Sequence, residues 1–424
     1  MADTSIQSFH VQSTIDNSNT FQHHHSVSAL WQQKWRTPAS MGIYPFVDGK
    51  VEDFDPIFEE LVKISGDDPK ILHDPDAYAK PFFPVAESLM AKAQEAEKAG
   101  STNEARDLYL RAAAVYRIAR FPINRSTLSQ KAWEDGKKAY MTASPYLDPP
   151  NIEIDIPFTH ASNSAGESKD AVIPVYLRIP KSTPAPENGW PLLLFICGLD
   201  AYRTDHTNRT DIHCKRGFAV LSVEIPGTGD SPAARDDPES PDRQFTSVLD
   251  WIYTVGRERY HFDISRIVAR GLSTGGYYAM RIAHTEANRL FAVVAQGGGS
   301  HWMFDEPWIK AQNHMEYPFA LADALAYKFG HDSVDQYIKD APIKKFSLLE
   351  NGIFDKKSAR MLIINGMEDS IFPIEDSILA LKHGRVKDAR FLENRKHMGN
   401  PGAEEILYDW IDEVVYGRKE VAIC

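Results

Sequence analysis

The stretch Ile267-Val-Ala-Arg-Gly271-Leu-Ser273-Thr-Gly275-Gly276-Tyr-Tyr-Ala-Met-Arg-Ile-Ala283 decides the fold. It starts as an apolar run with strand character, passes through Gly-x-Ser-x-Gly, and continues as an apolar-periodic helix. A strand that turns straight into a helix leaves no room for side chains on the inner corners. Glycine at 271 and 275 meets that demand, and the turn lifts the Ser273 hydroxyl clear of the sheet. The motif recurs by chance in unrelated chains, so its weight comes from the strand before it and the helix after it.

Outward from this turn, short apolar runs alternate with helical stretches. The runs cover 191–197, 218–223, 266–271, 292–296, 361–364 and 389–392, and the helical stretches 244–257, 276–285, 374–383 and 404–416. Apolar strands separated by helices predict a mostly parallel sheet covered on both faces. Ahead of them Ile152-Glu-Ile-Asp-Ile156 alternates with period two, and a second strand-like run follows the polar loop 161–170, which predicts a hairpin. Together with the elbow, the pattern predicts an α/β-hydrolase fold. The region 298–358, rich in Trp, Tyr and Phe, interrupts the alternation and reads as an insertion at one end of the sheet.

A serine hydroxyl is a weak nucleophile near neutral pH. It needs a general base, and the base needs an orienting carboxylate. In this fold they follow in the chain order Ser, acid, His. Met361-Leu-Ile-Ile-Asn365-Gly-Met-Glu-Asp369 is a buried strand ending in a turn, which nominates Asp369. Two histidines lie beyond it. His383 ends a helix, where it suits the helix dipole; His397 sits in a loop after a strand and is the expected base. One oxyanion donor is expected from the residue after the nucleophile, Thr274. The other is expected from the loop after the 191–197 strand, at the N–H of Leu199. In that loop Asp200 and Arg203 either touch substrate or pair with each other. Cys197 reads as a small buried hydrophobe.

Residues 1–40 read as a polar extension, and the run His23-His24-His25 as a solvated loop rather than a metal site. Residues 41–147 read as a helical domain. There the stretch 87–98 stops just short of Gly100, Ser101 and Glu104 offer a capping box, and a further helix covers 126–143 before Pro149-Pro150. These helices have an apolar face and no catalytic group. They are expected to roof the pocket at the C-terminal ends of the strands and to share it with residues 300–320. At the far end of the sheet, the same apolar face would call for a second copy, a homodimer. Residues 148–424 form the expected catalytic domain.

The chain has 424 residues, with 47 basic against 59 acidic and a net charge of −12. No basic stripe is available for nucleic acid or for an anionic membrane surface. Three widely spaced cysteines, Cys197, Cys214 and Cys424, make neither a disulfide framework nor a zinc site. The first 30 residues lack a secretory apolar core, and the apolar run at 191–199 is far too short for a membrane span. The terminal Val-Ala-Ile-Cys is neither a peroxisomal tail nor a prenylation box. The expectation is a soluble cytoplasmic protein. Gly227-Thr-Gly229 has Pro232 where a dinucleotide loop needs a third glycine, and Gly297-Gly298-Gly299 lacks the Lys-Ser/Thr of a phosphate loop. No cofactor and no metal are expected.

Gly271-Leu-Ser-Thr-Gly-Gly-Tyr-Tyr-Ala-Met-Arg-Ile-Ala-His284, Val294-Ala-Gln-Gly-Gly-Gly-Ser-His301, Glu316-Tyr-Pro-Phe319 and His397-Met-Gly399 together resemble the fungal heptaketide hydrolyase family. Its members shorten a polyketide in melanin-type pathways. The wider group takes in bacterial fermentation-respiration-switch-like hydrolases and a nicotine-degrading carbon–carbon hydrolase. The resemblance covers residues 50–420 and implies a helical N-terminal lid, a Ser273–Asp369–His397 triad and a small hydrophobic substrate. It implies cleavage of a C–C bond, or release of an acyl group, through an acyl-serine. Glu224 stands where many hydrolases carry Asp. On the same footing, Trp302, Phe304, Trp308 and Tyr317 would form an aromatic wall, with His301 and Glu306 binding polar groups of the substrate; ordinary packing is the competing use of those rings. Two other functions remain open. One is a carboxylesterase, thioesterase or acyltransferase on another small molecule. The other is a ligand-binding scaffold without turnover.

Overall fold

A computed structural model of the chain describes residues 14–15, 21–181 and 185–417, so Cys424 with its tetrapeptide and most of the first 20 residues lie outside it. Its centre is one eight-stranded sheet: β1 (Ile152–Pro157), β2 (Val172–Arg178), β3 (Trp190–Ile196), β4 (Ala219–Val223), β5 (Phe262–Leu272), β6 (Ala292–Gln296), β7 (Arg360–Gly366) and β8 (Asp388–Leu392). The spatial order is β1-β2-β4-β3-β5-β6-β7-β8. β1 and β2 form the expected antiparallel hairpin, with Ile152 opposite Leu177, and β2 runs antiparallel to β4. From β4 to β8 every pairing is parallel.

The side chains explain why the sheet is covered twice. In β3, Leu192, Leu194 and Ile196 pack into one core cluster, while Leu193 and Phe195 pack into the other. Successive side chains point to opposite faces, so a strand apolar at every position needs a layer on each. The helices Ser240–Trp251 and Thr274–Thr285 cover one face, and Thr207–Lys215 and Ala403–Tyr416 the other. No helix among the described residues is long and apolar enough to cross a membrane.

The helices Val51–Ser65, Phe82–Lys98, Thr102–Ala119 and Thr127–Ala143 form a separate layer. It docks on the loops that leave the C-terminal ends of β3 and β4. Arg120 donates to the Asp200 carbonyl at 2.9 Å, the Tyr202 hydroxyl donates to Asn124 Oδ1 at 2.8 Å, and the Trp133 indole donates to Asp230 at 2.7 Å. The expected capping box at Ser101 does not form, because the Ser101 side chain accepts no cap bond. One forms instead at the next helix, where Ser126 and Ser129 cap each other reciprocally.

The solvated-loop expectation for the histidine run is overturned. His23 is buried and its Nε2–H donates to the Tyr317 carbonyl at 3.1 Å; His24 does the same to the Met315 carbonyl at 2.6 Å. Behind them residues 27–41 are helical, and Val27, Leu30, Trp31 and Trp35 are buried. Trp31 stacks on Phe58 with centroids 4.4 Å apart, which ties this segment to the helical layer.

Candidate active site

At the end of β5 the chain turns into the helix Thr274–Thr285 through Ser273, whose φ of 54° and ψ of −124° are strained for a residue with a side chain. The turn is tight on both sides. A Cβ at Gly271 would lie 2.0 Å from the Gly275 carbonyl oxygen, and one at Gly275 would lie 2.4 Å from that of Cys197. These are the clashes the two glycines were expected to avoid. The Ser273 N–H donates to the Gln296 carbonyl at 2.8 Å, which pins the elbow to β6.

His397 brings its Nε2 to 2.8 Å from Ser273 Oγ and its Nδ1 to 2.8 Å from Asp369 Oδ2. An ionised carboxylate accepts only, so the Nδ1 proton belongs on the Asp369 side and Nε2 is left to accept from the serine. Asp369 is itself fixed. Its Oδ1 accepts from the Ile371 and Phe372 N–H groups at 2.8 and 3.0 Å, and its Oδ2 from Asn365 Nδ2 at 2.8 Å. The side chain of His397 keeps 11% of its surface exposed, enough for a substrate to reach it, with the Phe372 ring edge-on 5.6 Å away. Burial opposes protonation of His397, but Asp369, and at longer range Glu316 and Asp200, outweigh it, and the pKa is raised. His383 lies elsewhere, stacked on Phe354.

The two expected oxyanion donors flank this serine. Thr274 opens a helix, so its N–H has no intrahelical acceptor. The β3 loop runs beside the elbow: a Cβ at Gly198 would stand 3.6 Å from Ser273 Cβ, and Leu199 follows directly. Leu199 and Thr274 are both buried. Cys197 is fully buried and free, its thiol pushed up by burial.

The remaining candidates divide. Asp200 does not pair with Arg203. Its Oδ2 accepts from the Tyr44 hydroxyl at 2.5 Å and the Tyr317 hydroxyl at 2.6 Å. Arg203 bonds Glu224 at 2.6 Å and Asp230 at 2.8 Å, so both expectations for Arg203 give way to a buried ion network. Glu306 is exposed and pairs with Lys310 one turn along, and no hydrogen bond ties it to the triad. His301 bonds Ser347 through Nδ1 at 2.7 Å, and the N–H groups of His301 and Trp302 are gathered by the Asp376 carboxylate. Phe304 packs among Tyr277, Phe329 and Phe346, and Trp308 donates to the Ile371 carbonyl. Of the proposed wall, Tyr317 bonds Asp200 and stacks on Phe121 at 5.5 Å.

Two residues went unassigned in the sequence. Tyr44 carried no signal. Glu316 stood in a quoted motif; it is buried, accepts from the Ser370 hydroxyl at 3.2 Å, and is raised by burial and by Asp369. Among the described residues no cluster of His, Cys, Asp or Glu could hold a metal ion. A serine with its base, an oriented carboxylate and two neighbouring main-chain N–H groups can attack a carbonyl and stabilise the resulting oxyanion.

Several known hydrolases resemble the chain. The chain is 30% identical to a hydrolase, phmG, of Phaeosphaeria nodorum over 66% of this chain and 63% of that protein's length. It is 26% identical to the esterase FrsA of Escherichia coli over 72% of this chain and 69% of that one. Among solved structures it resembles the 2,6-dihydroxy-pseudo-oxynicotine hydrolase, with a TM-score of 0.63 and 20% identity over 82% of this chain and 91% of that one. It also resembles AbyA5, with a TM-score of 0.58 and 20% identity over 78% and 88%. These structural likenesses establish the α/β-hydrolase fold. The family described as FrsA-like esterases matches residues 82–413, most of the chain and all of the site except Tyr44, and the chain belongs to that family.

Proposed function

We propose that the protein is a serine-nucleophile hydrolase acting on a polyketide-type substrate, shortening its side chain by C–C cleavage or releasing an acyl group. The observation that carries the reading is the Ser273–His397–Asp369 relay, with both contacts at 2.8 Å. Ser273 Oγ attacks a ketone or ester carbonyl while His397 Nε2 takes the proton, and Asp369 holds the imidazolium. The oxyanion rests on the Leu199 and Thr274 N–H groups. In the C–C case the bond breaks because the leaving carbon departs as an enolate conjugated with a second carbonyl, and His397 returns the proton to it. Water, deprotonated by His397, then hydrolyses the acyl-Ser273. The substrate is a small hydrophobic molecule. Asp200 and Tyr317 line its acyl side, Phe372 its edge, and Trp302 and His301 lie further along the same insertion. The heptaketide hydrolyase resemblance supports the polyketide class.

A second reading, a carboxylesterase, thioesterase or acyltransferase on another small molecule, is favoured by the family's description and uses the same residues. Mass spectrometry of the protein trapped with candidate substrates decides between them. The mass added to Ser273 identifies the acyl group, and the co-product shows whether a carbon acid or an alcohol left. No adduct on Ser273 with any carbonyl substrate would sink both.

A further inference from the structure

Behind the site, between the sheet and the helices Thr207–Lys215 and Ala403–Tyr416, lies a charged network that the mechanism above does not use. Arg270 is fully buried in β5. Its guanidinium donates to Gln296 Oε1 at 2.8 Å and Glu404 Oε2 at 2.5 Å, and meets His213 Nε2 at 3.0 Å. Arg209 holds the other oxygen of Glu404 at 3.0 Å. Burying charges in this way costs more than an apolar core of the same size, so such a network invites a reason beyond stability.

Gln296 is where the network meets the site. A guanidinium has no acceptor, so Arg270 fixes the amide with its oxygen inward and its nitrogen outward. That nitrogen donates to the Met398 carbonyl at 3.2 Å, while the Gln296 main-chain carbonyl takes the Ser273 N–H at 2.8 Å. Met398 follows His397 directly and sits at φ 65°, a conformation that a side-chain-bearing residue does not adopt unaided. From the opposite side its N–H is taken by Asn365 Oδ1 at 3.0 Å, and Asn365 also donates to Asp369. The peptide groups next to the base are therefore gripped by two amide side chains, one anchored on the acid and one on the nucleophile's strand.

We infer that Gln296 is a positioning residue: held by Arg270, it fixes the His397–Met398 loop relative to Ser273 and so sets the alignment of base and nucleophile. The inference rests on the serine-hydrolase reading. The test is Gln296→Glu. The network already carries two arginines against one glutamate, so a carboxylate is electrostatically accommodated and keeps the acceptor Arg270 needs, but it has no donor for the Met398 carbonyl. Phosphonylation of Ser273 by a fluorophosphonate is followed by intact mass, beside the thermal midpoint. The wild type should label at Ser273. Gln296→Glu should label about 100-fold more slowly at an unchanged midpoint, the cost of a displacement near 1 Å at the reacting pair. Its labelling should also lose the sigmoidal pH dependence that reports His397 as the base. Failure of the wild type to label would refute the serine-hydrolase reading itself. Wild-type labelling in Gln296→Glu, or a fall that merely follows a lowered midpoint, would overturn the positioning role. Gln296→Met, which removes both side-chain bonds, separates the two: if it alone slows labelling, the Arg270 contact accounts for Gln296 and the inference falls.

Discussion

Replacing Arg120 with methionine tests whether the helical layer supports catalysis or merely sits on the fold. Arg120 leaves the end of Thr102–Ala119 and is fully buried. It makes three contacts with the loop that follows β3: a hydrogen bond to the Asp200 carbonyl, an ion pair with Asp205, and a cation–π contact 3.7 Å from the Tyr202 ring centroid. Breaking a buried ion pair by removing one partner costs about 3–5 kcal/mol. Here the lower end applies, because Asp205 keeps Arg117 at 3.7 Å, the Tyr202 N–H at 2.8 Å and the Thr204 hydroxyl at 2.9 Å. A loss of about 3 kcal/mol corresponds to roughly a hundredfold in an opening equilibrium. Hydrogen exchange of the helix Thr102–Ala119 should therefore accelerate by that factor.

The effect should also depend on pH in a definite sense. Burial pushes the Asp205 carboxyl up, but Arg117 and Arg120 pull it below its usual value. A depressed carboxylate contributes stability above its unfolded pKa and loses it as pH falls through the folded value. The difference between Arg120→Met and wild type should be largest near neutrality and shrink in acid. Because Leu199 precedes the anchored Asp200 carbonyl, acylation should slow as well, by about 10–100-fold, short of the full loss of an oxyanion donor. Arg120→Lys keeps the charge but cannot serve the carbonyl and the carboxylate together, and should recover only part. Unchanged exchange in this helix with unchanged acylation would refute the reasoning.

Ser273→Ala should leave the fold intact and reduce turnover by several orders of magnitude, read as kcat on the native substrate beside the circular dichroism spectrum; retained turnover would remove the nucleophile. His397→Ala should be severely impaired in acylation near neutral pH, while His383→Ala, stacked on Phe354 away from the site, should be close to wild type; the reverse pattern would reassign the base. The acid limb of kcat/KM should lie above the ordinary histidine value of about 6.5, since the base works only when neutral and Asp369, Glu316 and Asp200 favour its charged form. Asp200→Asn should move that limb to lower pH, and a limb that stays put would show that Asp200 does not act on His397.

The sheet is legible because its central strands, β3 above all, are buried on both sides, and only a two-sided cover satisfies that pattern. The elbow and the order Ser, acid, His were legible because a sharp strand–helix turn and a terminal loop histidine constrain which residues can serve. The helix Thr207–Lys215 was not found. Its buried residues are Thr207, Thr210, His213 and Cys214, which make no apolar stripe. Average composition hides the packed segment at 27–35, although Val27, Leu30, Trp31 and Trp35 fall at helical spacing. The expected pairing of Asp200 with Arg203 fails for another reason. Opposite charges three residues apart suggest a local pair, yet each has its partners on other segments. Nothing local marks Tyr44 for Asp200, 156 positions away.

Residues 21–81 act on the groups around the triad rather than on the triad itself. The strip Met315–Tyr317 is held from several sides: His23 and His24 take two of its carbonyls, Lys34 counters Glu316, and Tyr317 shares Asp200 with Tyr44. Buried apolar side chains, Val27, Leu30, Trp31 and Trp35 among them, fasten this N-terminal segment. At about 1.5–3 kcal/mol for each fully buried side chain, its attachment outweighs any single hydrogen bond it makes at the site. Burial keeps His23 and His24 neutral, with pKa values near 3 and 4, so neither competes with His397 for a proton near neutrality. The family match begins at residue 82, after this segment. Ser273, Asp369, His397, Leu199 and Thr274 all lie within the matched region, whereas His23, His24, Lys34 and Tyr44, which hold the groups around Asp200 and Glu316, lie outside it.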